Sequence, residues 1–173
     1  MKLNITTKQE AENAIIELQK YIKGKDIEWV SIDYSVIPKE TFDKYGAKPF
    51  QIMKRKMRDE NGRVWNNIDY FNAIKEAEKL GYRLQTIQEH LVLLDAYKEK
   101  HQDDASIHHK EFLGIEELSY GEDVCYEWVY ANQYIGFLRG GSWGNGGDAG
   151  VETLVLNNAP GYTSSHIGFR CTK

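Results

Sequence analysis

From Glu111 to the end of the chain, five short runs of strand-forming residues follow one another: "EFLGI", "CYEWVY", "YIGFLRGG", "VETLVLN" and "HIGFRC". Gly, Asn and Pro separate them, the residues that punctuate strands with turns. Runs this short cannot satisfy their backbone polar groups alone, so they must pair with one another or with a strand upstream. Several antiparallel strands are the expected outcome. Two helices precede them: "NNIDYFNAIKEAEKLGYR" lines up Tyr70, Ala73, Ile74, Ala77 and Leu80 on one side and stops at Gly81. In "TIQEHLVLLDAYKEKH", Thr86 is a cap with Glu89 three residues on. Helices followed by antiparallel strands define an α+β domain.

The front of the chain is different. "TTKQEAENAIIELQKYIKG" reads as a helix, with Thr6 or Thr7 as cap, Glu10 as the capping-box carboxylate, and Ala14, Ile15, Leu18, Tyr21 and Ile22 at helical spacing before Gly24. From Lys25 to Pro49 the pattern breaks around Pro38, Gly46 and Pro49, leaving room for one short strand in "EWVSIDYSV". "PFQIMKRKMRDENGRVWN" alternates as a hairpin would, with Asn61-Gly62 at the turn and its charges on a solvated face. The chain therefore divides into an N-terminal helix and extension over 1–48 and a main domain over 49–173. A last strand pairing back near the first would close that domain.

Composition narrows the function. A length of 173 residues with 41% hydrophobic content suffices for one core. The net charge of −4 and the scattered Lys and Arg argue against a nucleic-acid partner. No apolar stretch is long enough to span a bilayer, and "MKLNITTKQEAENAII" lacks the apolar centre of a signal peptide, so folding in the cytoplasm without membrane insertion is expected. Cys125 and Cys171 are too few for a disulfide scaffold; they are two buried thiols or one bridge.

Candidate chemistry is sparse. His90 and His101 share a helix, His108 and His109 are adjacent, and none has ligand spacing to the thiols, so no metal or cofactor is expected. Glu116-Glu117 and Glu122-Asp123 could act as paired carboxylates, but solvated loop charge accounts for them as well. "RGGSWGNGGDAG" lacks the Gly-Lys-Ser/Thr and the following helix of a phosphate loop. Trp29, Trp65, Trp128 and Trp143 suit a core. Arg139 and Arg170 suit clamps on carbonyls or carboxylates.

"RLQT" after the first domain helix, "LRGGSW" and the terminal "IGFRC" together resemble the C-type lectin fold in its formylglycine-generating-enzyme-like branch. Within that branch the chain is similar to the variable proteins of diversity-generating retroelements, found in phages, prophages and archaeal viruses. The likeness covers roughly Phe50 to Cys171 as fold and is specific over 139–170, where "RGGSW", "AG", "LNNAP" and "IGFR" stand in order. "RLQT" departs from the branch, with Gln85 where Pro is frequent, which bears on turn geometry.

The resemblance implies a ligand-binding surface diversified by adenine-directed mutagenesis. Its varied positions would be Gly144, Asn145, Asp148, Glu152, Val155, Tyr162, Thr163, Ser164, Ser165 and His166. Its frame would be Arg139, Gly140, Gly141, Trp143, Asn157, Asn158, Phe169 and Arg170, with Leu154, Leu156 and Ile167 as further buried anchors. An Asn codon mutated at its adenines yields Gly, Asp, Val, Tyr, Ser or His but not Lys, Gln, Met or Trp, and none of those four occurs between Gly144 and Ile167. Glu152 needs another adenine-bearing codon. The implied partner is a protein or cell-surface ligand, with attachment to a virion or tail through the N-terminal region. The branch's catalytic cysteine pair, iron-binding histidines and calcium motifs do not match, so no catalytic residue is assigned. Two alternatives stand: an enzyme with Cys171 as its nucleophile, or a non-variable virion component.

Overall fold

Strand β2 (Phe50–Met53) sends Phe50 and Ile52 into one apolar cluster and Met53 into another, and the fold is arranged around it. The computed structural model describes residues 7–14, 27–59, 61–101, 111–116, 126–140 and 153–173. One four-stranded sheet has the order β1 (Trp29–Ile32), β2, β10 (Cys171–Thr172), β3 (Arg83–Leu84). A second has the order β8 (Leu154–Val155), β7 (Ile135–Arg139), β6 (Tyr126–Asn132), β9 (Ile167–Phe169). Strands β4 (Glu111–Phe112) and β5 (Ile115–Glu116) form a separate hairpin. The helices are α1, described over 8–14, then α2 (Lys39–Tyr45), α3 (Tyr70–Lys79) and α4 (Ile87–Lys100). This is an α+β architecture.

Local chemistry explains the helices. The Thr7 hydroxyl accepts from the Glu10 N–H at 3.1 Å while the Glu10 carboxylate accepts from the Thr7 N–H at 3.0 Å. Thr86 and Glu89 make the same reciprocal pair at the start of α4, which satisfies amides that a helix leaves unpaired. Asp69 caps α3, and Gly81 ends its turn at φ 79°, a conformation that disfavours any side chain. Helix α3 buries Tyr70, Ala73 and Ala77 beside Trp128, Leu138, Ile167 and Phe169. Helix α4 buries Val92, Leu93 and Tyr97 beside Ile32, Phe42, Phe50 and Ile115. Each fully buried aliphatic or aromatic side chain stabilises by about 1.5–3 kcal/mol.

The C-terminus closes the domain. Thr172 pairs with Ile52, and Gln51 and Lys173 exchange backbone hydrogen bonds at 2.9 Å in both directions. Strands β9 and β10 lie in different sheets, separated only by Arg170. "RLQT" links the same two sheets from the other side: the Gln85 carbonyl accepts from the Tyr130 N–H at 2.8 Å, and the Arg83 guanidinium reaches both Glu89 and the Thr172 hydroxyl.

Several expectations from sequence are corrected. The Phe50–Trp65 stretch is no long hairpin, because β2 takes β1 and β10 as partners. Asn61-Gly62 does turn the chain, but only Arg58 and Val64 form a bridge across it. Lys56, assigned to a solvated face, is 1% exposed and lies 3.8 Å from the Glu127 carboxylate. "EFLGI" is two strands, turned at Leu113 and Gly114, both with positive φ. Strand β9 runs parallel to β6, since the chain crosses over before it joins the sheet. Helix α2 lies in a segment read as irregular. In the first sheet β1 (Trp29–Ile32) pairs antiparallel with β2 along its whole length.

Candidate functional site

The region that resembles a diversified surface leaves the second sheet after β7 and returns through β8 and β9. Gly140 adopts φ 87°, where a side chain would be strained. Gly141, Trp143, Gly144, Asn145, Asp148 and Glu152 lie outside the described residues. Within β8 the phase is opposite to expectation: Leu154 and Leu156 are 42% and 63% exposed, while Val155 packs on the core of Trp128 and Leu138. Pairing of Leu138 with Val155 sets that phase, because neighbouring side chains on a strand point to opposite faces. Val155 is thus a packing residue as well as a candidate varied position.

After β8 the chain forms a loop that is held from outside. The Tyr162 N–H donates to the Ala159 carbonyl at 2.8 Å, and the Pro160 carbonyl accepts from the Tyr70 N–H at 2.9 Å. The Ser164 carbonyl accepts from the N–H of Asn67 at 3.1 Å and of Ile167 at 3.0 Å. The Ser165 carbonyl accepts from the Asn66 side-chain amide at 3.1 Å, and the His166 carbonyl from the Tyr126 N–H at 3.0 Å. Tyr162, Thr163, Ser165 and His166 are exposed. Ser164 is half-buried, and its hydroxyl accepts from the His166 N–H at 3.3 Å. Asn157 is exposed and Asn158 half-buried.

The frame beneath is charged and buried. Arg170 is fully buried, donating to the carbonyls of Met53 (2.8 Å), Lys54 (2.7 Å) and Glu116 (2.7 Å) and to the Glu127 carboxylate at 3.0 Å. One side chain thereby ties together β2, the β4–β5 hairpin and β6. Phe169 is fully buried and meets Trp65 edge-on. Arg139 is also buried, and burial holds its guanidinium below the ordinary arginine value.

Asn66 and Asn67 were missed by sequence reasoning. Asn67 sits at φ 53°, and asparagine is among the few residues that enter this region readily. An Asn-Asn pair ahead of a helix cap is a turn signal, but its partners lie almost a hundred positions away and no local pattern reveals them.

The reactive candidates are placed unfavourably for catalysis. Cys171 is buried in the core, and burial pushes its thiol up to about 12, so the nucleophilic thiolate is withheld. Glu116 is bonded by Arg55, which with Lys54 holds its carboxyl below the usual range, the opposite of what a general acid needs. His90 is buried on α4, and His101 stacks on Tyr97 at that helix's end. Among the described residues no cluster of His, Cys, Asp or Glu is arranged to hold a metal. Cys125, Glu117, Glu122, Asp123, His108 and His109 lie outside them. No described helix is long and apolar enough to cross a membrane.

A groove of about 650 Å³ lies beside the loop, lined by Arg58, Asp59, Arg63 and Asn66 on one wall and by Ser165 and His166 on the other. The groove and the outward-facing loop lie side by side on the α+β frame. Comparison with known proteins adds fold-level likeness only. The solved structure of CarF aligns with TM-score 0.54 at 15% identity, over 85% of this chain and 98% of CarF, which indicates a shared fold. Two variants of Major Tropism Determinant, U1 and I1, align with TM-score 0.45 at 13% and 14% identity, over 76% of this chain and 47% of theirs. No family model and no curated protein matches the chain.

Proposed function

We propose that this chain is a ligand-binding protein of the C-type lectin fold, in which a fixed frame displays a surface diversified by a retroelement. The carrying observation is how the 160–166 loop is held. Its carbonyls are bonded by the N–H groups of Tyr70, Asn67, Tyr126 and Ile167 and by the Asn66 amide, all outside the proposed varied positions. Most of the loop's side chains can therefore change while the bonds that shape it persist. Exposed substitutions of this kind typically alter stability by only about ±0.5 kcal/mol. The adjacent frame, Ile167 to Thr172, is buried throughout. Closure of the terminal strands, the two domain helices and the "RGGSW" to "IGFR" series support the fold assignment.

On this reading the chain is a binding protein and not an enzyme. Tyr162 and His166 offer contact area and hydrogen bonding, as Tyr and small polar residues do in antibody loops. Its partner is a protein or cell-surface ligand, and the N-terminal region attaches it to a virion or tail. Sequencing the locus across a population tests the proposal. Substitutions should concentrate in the codons of Gly144, Asn145, Asp148, Glu152, Val155, Tyr162, Thr163, Ser164, Ser165 and His166 and spare Ile167 to Cys171. A nearby near-copy should differ where it has adenine, beside a reverse transcriptase. A locus with neither copy nor reverse transcriptase would overturn diversification.

A further inference from the structure

The groove beside the loop has a fixed wall and a wall drawn from the proposed varied positions. The fixed wall is the Asp59–Gly62 turn and its flanks. The Asp59 N–H donates to the Arg63 carbonyl at 2.8 Å, the Gly62 N–H donates to the Asp59 carbonyl at 3.0 Å, and an Arg58 guanidinium nitrogen donates to the Gly62 carbonyl at 3.1 Å. The Asp59 carboxylate accepts from the N–H groups of Asn61 and Arg63 at 2.8 and 3.0 Å, so its charge is tied into the turn. Arg63 is exposed at the groove and its guanidinium has no ion-pair partner among the described residues. Among the described lining residues Arg63 thus brings an exposed guanidinium to the groove, while the carboxylate of Asp59 is already bonded to amides.

We propose that this groove binds an oxyanion, a sulfate or carboxylate carried on a saccharide, with Arg63 as the principal charge and Asn66, Ser165 and His166 as its polar surround. The chemistry of the lining selects that class. Guanidinium pairs with sulfate and carboxylate oxygens through parallel N–H donors. Amide, hydroxyl and imidazole groups suit sugar hydroxyls. The volume of 650 Å³ falls within the range of about 300–1,000 Å³ typical of small-ligand sites. Protein partners usually need a buried aromatic or aliphatic anchor, and the one branched apolar side chain among the lining residues, Val64, is itself buried. The inference rests on Ser165 and His166 belonging to the binding face. On this reading the fixed wall supplies charge that does not depend on the varied side chains.

Titration at low ionic strength with a sulfated disaccharide, its unsulfated parent and inorganic sulfate tests the proposal. The sulfated sugar should bind, the parent about tenfold more weakly or worse, and inorganic sulfate should compete only at higher concentration, a pattern that assigns the anion to a saccharide. Arg63→Ala should weaken the sulfated sugar about tenfold with an unchanged melting temperature, and Arg63→Lys should recover part of the loss. Lys75→Ala removes the same charge from exposed α3 and should alter affinity by less than about twofold. Equal binding of sulfated and unsulfated sugars, an unaffected Arg63→Ala protein, or equal losses in the Arg63 and Lys75 variants would each overturn it. Gene variation is read separately by sequencing, so failure of this site and failure of the diversification reading are distinct results.

Discussion

Residues 160–166 and 167–172 are neighbours in the chain, yet opposite principles hold them in place. The first stretch is fixed through its carbonyls, which outside groups bind, while most of its side chains face solvent. The second is paired as strands β9 and β10 and is locked in addition through its side chains: Ile167 and Phe169 fill the core and Arg170 spans three elements. A segment held by its backbone is tolerant of sequence, whereas one held by its side chains is not. That contrast is the physical basis for separating what varies from what stays.

The largest expected effect tests the second half of the contrast. Arg170→Ala would leave the Glu127 carboxylate without its bonded guanidinium and would remove a donor from the carbonyls of Met53, Lys54 and Glu116, of which Lys54 keeps the Glu116 N–H. Removing one partner of a buried ion pair costs about 3–5 kcal/mol where the other is left uncompensated, and Lys56, 3.8 Å from Glu127, sets the expectation at the low end of that range. Urea unfolding should show a loss of that size, with insoluble expression as its extreme. A loss below about 1 kcal/mol, the scale of an exposed pair, would mean that the switch between sheets does not depend on this side chain.

A smaller effect is expected where the two regions meet. Asn67 holds the Ser164 carbonyl through its own N–H, at a left-handed φ of 53°. Alanine carries the same Cβ but lacks the short polar side chain that lets asparagine enter this region, and should cost up to about 1 kcal/mol. Glycine has no Cβ and should cost markedly less, so the difference between the two unfolding midpoints measures the backbone strain. Equal midpoints would place the anchoring of the loop elsewhere.

Much of the frame was legible from sequence because local rules govern it. Thr7, Glu10, Thr86, Glu89 and Gly81 act within one turn, and capping chemistry predicts them. The α+β order followed from hydrophobic periodicity. Pairing partners were not legible, because the choice by β2 of β1 and β10 over the Asn61-Gly62 return depends on distant strands competing for the same backbone groups. The burial of Lys56 escaped for a similar reason, since Glu127 and Arg170 lie far along the chain. The phase of β8 depends on Leu138 pairing with Val155, which composition does not encode. Of the candidate surface, the motif blocks could be read, but the Asn66–Asn67 cradle and the groove are products of folding.

The smallest expected effects decide whether the loop is tolerant along its whole length. Thr163, Ser165 and His166 are exposed, and the bonds made at Ser165 and His166 use their carbonyls, so alanine at each should shift stability by no more than about 0.5 kcal/mol. Ser164 differs from its neighbours, being half-buried with a hydroxyl that accepts the His166 N–H. Its replacement by alanine removes the acceptor of that amide and should cost about 0.5–1.5 kcal/mol, the usual net worth of such a bond. A single set of denaturant curves for Ser164→Ala and Ser165→Ala therefore separates two accounts of the loop. If both are silent, the backbone anchors alone hold it and every position from 162 to 166 is open to change. If only Ser164→Ala is costly, the loop has an internal strut, and variation at residue 164 should be confined to side chains that can still accept a hydrogen bond, such as serine, threonine, asparagine and aspartate.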